Sequence, residues 1–317
     1  MDKLKKNNIP VFILAGGYGT RLSEETHLKP KPMIEIGEMP ILLHLMRWYY
    51  AQGFNHFVIC AGYKSWEIKN FFLNYEFRVN HLVIDNRTSQ GQPAAVMGDN
   101  AKQERWKIQV IDTGLDTMTG ARLARAFDEV AQYEAFSDFA VTYGDGLSDV
   151  NLGRELAFHL AHKKLGTVLG VPPLARWGEL NVTHGTQVRG FLEKPENRPG
   201  LINGGFFFFK SEFRNYLDID KDFVLEKEPL AQLARDKEFR VFRHSGFWMP
   251  MDTLRDKVKL QELWDSGKAP WLAPSLPLPS LSPAPSSLSP SPGRSDRSVG
   301  SGSNKLGRSR KKGKIND

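Results

Sequence analysis

Val11-Phe12-Ile13-Leu14-Ala15-Gly16-Gly17-Tyr18-Gly19-Thr20-Arg21-Leu22 decides how the whole chain reads. Ile9 to Ala15 is a short apolar run, the pattern of a buried strand. It breaks into glycines at 16, 17 and 19, followed by a hydroxyl and an arginine. Glycine admits positive φ and lets a ligand approach bare N–H groups. A glycine-rich turn at the carboxyl end of a parallel strand is where open α/β sheets bind ligands. Arg21 adds a fork of donors suited to phosphate oxygens. Two better-known phosphate loops are excluded. Counted from Gly16, a P-loop needs a second glycine where Arg21 stands, and a dinucleotide fingerprint begun at Gly17 puts its third glycine on Leu22.

Working outward, Lys29-Pro30-Lys31-Pro32-Met33 follows the loop. The prolines hold the preceding lysines in extended backbone, so this segment reads as the second jaw of a triphosphate clamp. Next comes a helix over Ile41 to Gln52, bounded by Pro40 and Gly53. A strand (Phe57 to Ala61), a helix (Glu67 to Tyr75) and a strand (Lys107 to Ile111) continue the alternation that specifies a parallel sheet. No element is read over 76–105, where Asp85 to Gln92 is a polar loop. Thr119 is expected to cap a helix over Ala121 to Gln132.

The strand Phe139 to Tyr143 then delivers Gly144-Asp145-Gly146 to the same edge as the first loop, and Asp145 there reads as a metal ligand. A helix (Leu152 to Lys163) precedes shorter strands at Gly166 to Val171, Leu180 to Thr183 and Val188 to Leu192. Phe206 to Phe209 reads as a strand buried on both faces. Val224 to Lys237 and Leu254 to Trp264 read as the last helices. The fold expected is α/β: a Rossmann-like open, mostly parallel sheet flanked by helices, with a smaller β-rich part for a sugar. Beside turns in that part, Glu193, Lys194 and Asn203 offer an acceptor, a cation and an amide, a set suited to a sugar phosphate.

Of the 317 residues, 40% are hydrophobic and 25% charged, ordinary for a globular enzyme. The formal charge of +7 is unevenly placed: from residue 272 onward eight Lys/Arg face two Asp, a surplus of six, leaving the body at +1. That excludes an argument for nucleic acid from overall charge. The expected organisation is a flexible leader (1–8), one catalytic domain (9–271) and a Pro/Ser-rich, then basic, disordered tail (272–317). Cys60, the single cysteine, permits no intrachain disulfide and reads as a small hydrophobe in a buried strand. No run reaches the length of a membrane span, and the basic leader lacks a signal peptide's apolar core, so cytoplasm is expected.

The A-G-G-x-G-T-R-L and K-P-K-P-M motifs together resemble the sugar-1-phosphate nucleotidylyltransferases, over roughly residues 9 to 271. Finer marks include Leu22-Ser23-Glu24-Glu25-Thr26, Ile59-Cys60-Ala61-Gly62-Tyr63-Lys64, Asp112-Thr113-Gly114, Met118-Thr119-Gly120 and Tyr143-Gly144-Asp145-Gly146. With Gly246-Phe247-Trp248 and Met251-Asp252-Thr253-Leu254-Arg255-Asp256, they are similar to the branch that makes CDP-glucose from CTP and glucose 1-phosphate. The resemblance implies Mg²⁺ held by Asp145 and Asp252. It implies that Leu14, Ala15, Gly16, Gly17, Tyr18, Gly19, Thr20, Arg21, Lys31, Thr117, Arg122 and Gly144 bind the nucleotide. Glu193, Lys194, Asn203 and Gly204 would bind the sugar phosphate, and Arg21, Lys31 and Lys194 would assist the chemistry directly. Ala121 departs from the family's second glycine before Arg122. The resemblance further implies a homo-oligomer, a hexamer, with neither nucleic-acid nor membrane partners, feeding dideoxyhexose and surface-polysaccharide synthesis. Rival readings are transfer of uridylyl or thymidylyl groups, an inactive nucleotide-sugar-binding regulator, and nucleic-acid binding by the tail.

Overall fold

The apolar run forms β1 (Val11–Ala15), every residue of it buried. In the computed structural model, residues 6, 8–83, 95–97, 104–173, 179–182, 188–192, 200–218 and 221–272 are described. The other long strands are β2 (His56–Ala61), β3 (Lys107–Asp112), β4 (Asp138–Tyr143), β5 (Gly166–Val171), β6 (Ile202–Lys210) and β7 (Phe239–Arg243). They make one seven-stranded sheet in the order β7-β5-β6-β4-β1-β2-β3. β4, β1, β2 and β3 run parallel, as do β5 and β7; only β6 runs antiparallel to its two neighbours. The sheet is therefore mostly parallel, as the alternation of strand and helix predicts.

Side-chain alternation along each strand divides the core in two. Val11, Ile13 and Ala15 pack in one cluster with Leu42, Leu45 and Met46 of α1 (Ile41–Ala51). Phe12 and Leu14 point the other way, onto Leu123, Ala126 and Phe127 of α3 (Thr119–Ala131). The phenylalanine run divides likewise: Phe206 and Phe208 belong to the first cluster, Phe207 and Phe209 to the second, and none exceeds 1% exposure. Helices on both faces leave this strand no polar side, which is why no polar residue interrupts the run.

Most element ends shift by a residue or two, the phenylalanine strand begins earlier, at Ile202, and three further departures concern helices. The segment after β2 is α2 (Ser65–Leu73) followed by a separate short helix, Tyr75–Val79. Thr119 does not cap α3 but is its first residue; its hydroxyl accepts from the Leu225 amide at 2.9 Å instead. The helix expected from Val224 begins only at Glu228, as α5 (Glu228–Arg235). Residues before Glu228 are held by the start of α3, where Phe223 O accepts from Gly120 N at 3.0 Å, and so cannot join a helix of their own. After α4 (Leu152–His162), a two-stranded ribbon, Glu179–Val182 with Val188–Leu192, forms the β-rich addition. The polar loop expected at Asp85 to Gln92 and residues 273–317 lie outside the described residues.

Candidate active site

Because β4, β1, β2 and β3 are parallel, their carboxyl ends open along one edge. The register pairs Leu14 with Tyr143 and Ala15 with Ala61, so the loops after β1, β4 and β2 leave side by side. Gly144 N donates to Leu14 O at 3.0 Å, and Tyr63 N to Gly16 O at 3.1 Å. Gly19 has φ +64°, which L side chains rarely adopt, so glycine lets the loop turn here without strain. A Cβ on Gly16 would lie 2.3 Å from the Arg122 guanidinium, so a side chain there would displace that group.

These loops enclose a cleft of about 370 Å³. Leu14, Ala15, Gly16, Gly17, Gly19, Thr20, Arg21, Lys31, Thr117, Arg122, Gly144 and Asp145 line it. Tyr18 does not: its ring packs on Tyr63 at 4.9 Å, and its hydroxyl donates to Asp116 Oδ1 at 2.5 Å. Pro32, Met118, Thr119 and Tyr143 also line the cleft. All four stand within the motifs quoted above, although the sequence assigns none of them a ligand.

At the mouth of the cleft, Lys31 Nζ donates to Asp145 Oδ2 at 2.5 Å and to Asp252 Oδ1 at 2.8 Å. Arg21 Nη1 donates to the other Asp252 oxygen at 3.0 Å. Burial alone would lower the Lys31 ammonium, but Asp145 and Asp252 outweigh it and hold it above the usual lysine value. A two-stranded ribbon, Gly146–Ser148 with Trp248–Pro250, brings the two acids together across the sequence. Met251 N donates to Asp145 O at 2.8 Å, setting Asp252 beside the first acid. Asp252 is then fixed by the start of α6 (Leu254–Asp265), where Thr253 and Asp256 form a capping box and Asp256 Oδ2 also accepts from Asp252 N at 3.2 Å.

Two carboxylates drawn onto one ammonium are a set built around a single small cation. Among the described residues no group of three His, Cys, Asp or Glu could hold a metal. Such a pair suits Mg²⁺, which takes one or two carboxylates and completes its shell with water and phosphate oxygens. Arg122 differs from every other cation here. At 4% exposure, its Nη1 donates to Ala61 O, Thr113 Oγ1 and Gly114 O, and its Nη2 to Gly16 O and Leu115 O, at 2.6 to 3.2 Å. The guanidinium therefore ties three loop backbones together beneath the glycines.

Asn203 lies outside the cleft, at the exposed start of β6, with its Nδ2 3.4 Å from the Tyr143 hydroxyl and its Oδ1 accepting from Gly205 N at 2.8 Å. Gly204 is buried, its carbonyl accepting from Trp248 Nε1 at 2.6 Å. Glu193 and Lys194 lie outside the described residues. Cys60 is fully buried, and burial pushes its thiol up to about 12, so it offers no nucleophile. Among the described residues no helix is long and apolar enough to cross a membrane.

A parallel sheet with a glycine loop, a paired set of acids and clamp cations defines a class of enzyme that moves phosphoryl-linked groups. Residues 10–249 match the family model described as nucleotidyl transferase, and the chain belongs to that family. It is 44% identical, over 82% of its length and 97% of the relative's, to glucose-1-phosphate cytidylyltransferase of Salmonella typhimurium. Identity falls to 26%, over 84% of this chain and 68% of the relative, against mannose-1-phosphate guanyltransferase of Gibberella zeae. The fold is shared with the crystal structure of HddC from Yersinia pseudotuberculosis, at a TM-score of 0.54 and 23% identity over 81% of this chain and 99% of that one.

Proposed function

We propose that this protein transfers a cytidylyl group from CTP to α-D-glucose 1-phosphate, giving CDP-glucose and pyrophosphate, with Mg²⁺ as the metal. The observation that carries the reading is the convergence of Lys31, Arg21, Asp145 and Asp252 at the mouth of the glycine-loop cleft. The 44% identical relative supplies the substrates. Two polyanions must meet, and fixed cations and donors remove the repulsion between them. The backbone N–H groups of Gly16 to Arg21 would take phosphate oxygens, with Lys31 and Arg21 as the charges. Asp145 and Asp252 would hold Mg²⁺, which neutralises charge on the phosphates when bound.

The sugar-phosphate oxygen attacks the α-phosphorus in line. A new P–O bond forms, the bond to the β-phosphate breaks, and pyrophosphate leaves with its electron pair. Catalysis is positioning and charge stabilisation, as in other phosphoryl transfers, and needs no protein nucleophile. Arg122 would act on the nucleotide through the loop it holds. Glu193, Lys194, Asn203 and Gly204 complete the proposed sugar-phosphate side. As the resemblance implies, we place the enzyme in the cytoplasm as a homo-hexamer, feeding dideoxyhexose and surface-polysaccharide synthesis, with the tail beyond residue 271 outside the catalytic domain.

An inactive regulator would have no need of both acids and both clamp cations, and all four are present together. Pyrophosphate release, measured with CTP, UTP, dTTP and GTP, each with and without glucose 1-phosphate, tests the reading. CTP with the sugar phosphate is expected to exceed UTP by at least about tenfold in kcat/KM, because cytosine's amine and uracil's carbonyl demand opposite partners. Equal turnover of UTP would defeat the cytidylyl assignment while leaving the transferase one standing.

A further inference from the structure

The segment 222–226 crosses the start of α3 and ends on a carboxylate that reaches the cleft wall. Asp222 Oδ1 accepts from Met118 N at 2.7 Å, Phe223 O from Gly120 N at 3.0 Å, and Thr119 Oγ1 from Leu225 N at 2.9 Å. Glu226 then takes the protons of two hydroxyls that line the cleft. Thr119 Oγ1 donates to its Oε2 at 2.9 Å, and the Tyr143 hydroxyl donates to its Oε1. An ionised carboxylate only accepts, so both hydroxyl protons are committed to it.

What remains for a ligand is acceptor capacity. Thr119's oxygen is already taken by Leu225 N, whereas Tyr143's meets only the long contact from Asn203. A wall that offers acceptors backed by a carboxylate repels phosphate, so the neutral part of a ligand belongs there. Tyr143 ends β4, and its side chain meets the start of β6. Its ring closes over Gly205, whose added Cβ would lie 2.4 Å from it, and Trp248 is bonded to the Gly204 carbonyl beside it. Two aromatic side chains thus meet the Gly204-Gly205 backbone next to the cleft wall, with the exposed Asn203 amide beside Tyr143, and an apolar surface with a few placed polar groups is the form of a small-molecule subsite.

We propose that Tyr143 determines hexose specificity by accepting a hydrogen bond from one hydroxyl of the sugar 1-phosphate, and that Glu226 is the positioning residue that fixes Tyr143 as an acceptor. This rests on the function proposed above. The test uses steady-state kinetics at saturating CTP with glucose 1-phosphate and its 2-, 3-, 4- and 6-deoxyfluoro analogues, since fluorine keeps the bulk but cannot donate. With the wild type, one analogue is expected to lose about tenfold more kcat/KM than the others, the size of one hydrogen bond. Tyr143→Phe should lose about as much with glucose 1-phosphate itself, and that analogue's penalty should vanish. Glu226→Gln should reproduce the loss, because its amide can donate to the Tyr143 oxygen and occupy it. The KM for CTP should stay within about twofold in both variants.

Unchanged glucose 1-phosphate kinetics in Tyr143→Phe would overturn the proposal. So would an equal loss with every analogue, or a defect confined to the KM for CTP, which would place the nucleotide at this wall. If Tyr143→Phe does not fold, Glu226→Gln carries the same comparison, since Glu226 is exposed and outside the core. Absence of pyrophosphate release by the wild type with CTP and glucose 1-phosphate is a separate result, and it would sink the function rather than the role of Tyr143.

Discussion

The two faces of the glycine loop carry one arginine each, and the two arginines are used in opposite ways. On the outer face, Arg21 has a side chain 68% exposed and one ionic partner, Asp252. On the inner face, Arg122 is 4% exposed and its terminal nitrogens meet four carbonyls and a hydroxyl. Outer-face pairs are held by charge near solvent, so they exchange partners at modest cost when a polyanion arrives. Inner-face bonds are buried and directional, and losing their donor strands several acceptors at once. On the function proposed above, the arginine of this loop whose partner is another charge acts on substrate, and the one whose partners are carbonyls acts on the scaffold. Changes on the outer face should move rates without moving stability, and changes on the inner face should move stability first.

The largest effect should come from the outer acids. Asp145→Asn or Asp252→Asn removes charge with little change of volume, and each should lower kcat by at least about a thousandfold in Mg²⁺, a figure typical of deleting a principal electrostatic group. The melting temperature should stay within a few degrees, because both acids are partly solvated and Lys31 keeps one carboxylate partner when the other is lost. Near wild-type turnover in either variant would remove that residue from the metal set. A collapse in stability instead would break the division between the two faces.

Arg122 against Arg21 is the direct comparison. Arg122→Lys keeps the charge but offers one ammonium where two nitrogens served five acceptors, so it should cost at least about 3 kcal/mol of stability. Arg21→Ala should leave the unfolding midpoint unchanged and reduce kcat/KM for CTP by about ten- to a hundredfold, the worth of one charge-assisted contact. Chemical denaturation of both variants beside their kinetics would settle it. Equal stability losses, or equal kinetic ones, would mean that the arginines are not divided by face.

The same division explains what the sequence could and could not disclose. β1, the glycine loop and Gly144-Asp145 were legible because their signals are local: an apolar run, a cluster of glycines, an acid in a turn after a strand. The phenylalanine strand was legible for the same reason, since a sheet covered on both faces permits nothing but apolar residues. The convergence of Asp252 on Asp145 is not local. It depends on pairing Trp248–Pro250 with Gly146–Ser148, a three-residue ribbon whose partners stand far apart in the chain. Only the family resemblance put the two acids together. Arg122's web of carbonyls left no trace, because a backbone acceptor has no sequence. Glu226 stayed hidden inside a stretch that reads as helix, until the anchoring of Phe223 and Leu225 on α3 delayed the helix to Glu228.

The smallest expected effect is a pH signal from an inner-face type of group, remote from the cleft. His44 is 2% exposed; its Nε2 donates to Ile36 O at 2.9 Å, and its Nδ1 accepts from Trp271 Nε1 at 3.2 Å, so the neutral tautomer is fixed. Burial, aided by the Arg47 charge, lowers it from 6.5 to about 4, against the raising effect of the Ile36 carbonyl. As pH falls below 6.5 the unfolded chain takes up a proton that the folded protein refuses until about 4. His44 thus favours the fold fully above pH 6.5, and that advantage is lost as pH falls towards 4, by up to about 3 kcal/mol. Glu155 works the other way: burial pushes its carboxyl well up, so its contribution declines as pH rises above the ordinary carboxylate range. The wild-type profile alone mixes the two. His44→Gln keeps a donor for Ile36 and an acceptor for Trp271 but cannot titrate, and the difference between the two stability curves cancels Glu155. Denaturant unfolding of both proteins from pH 7 to 4.5 should show the wild type losing stability relative to the variant, steadily and by about 2 kcal/mol at the acid end. A flat difference would mean that His44 takes up its proton in the folded protein as readily as in the unfolded chain. Being buried among fixed partners would then not be enough to separate the two classes of polar group.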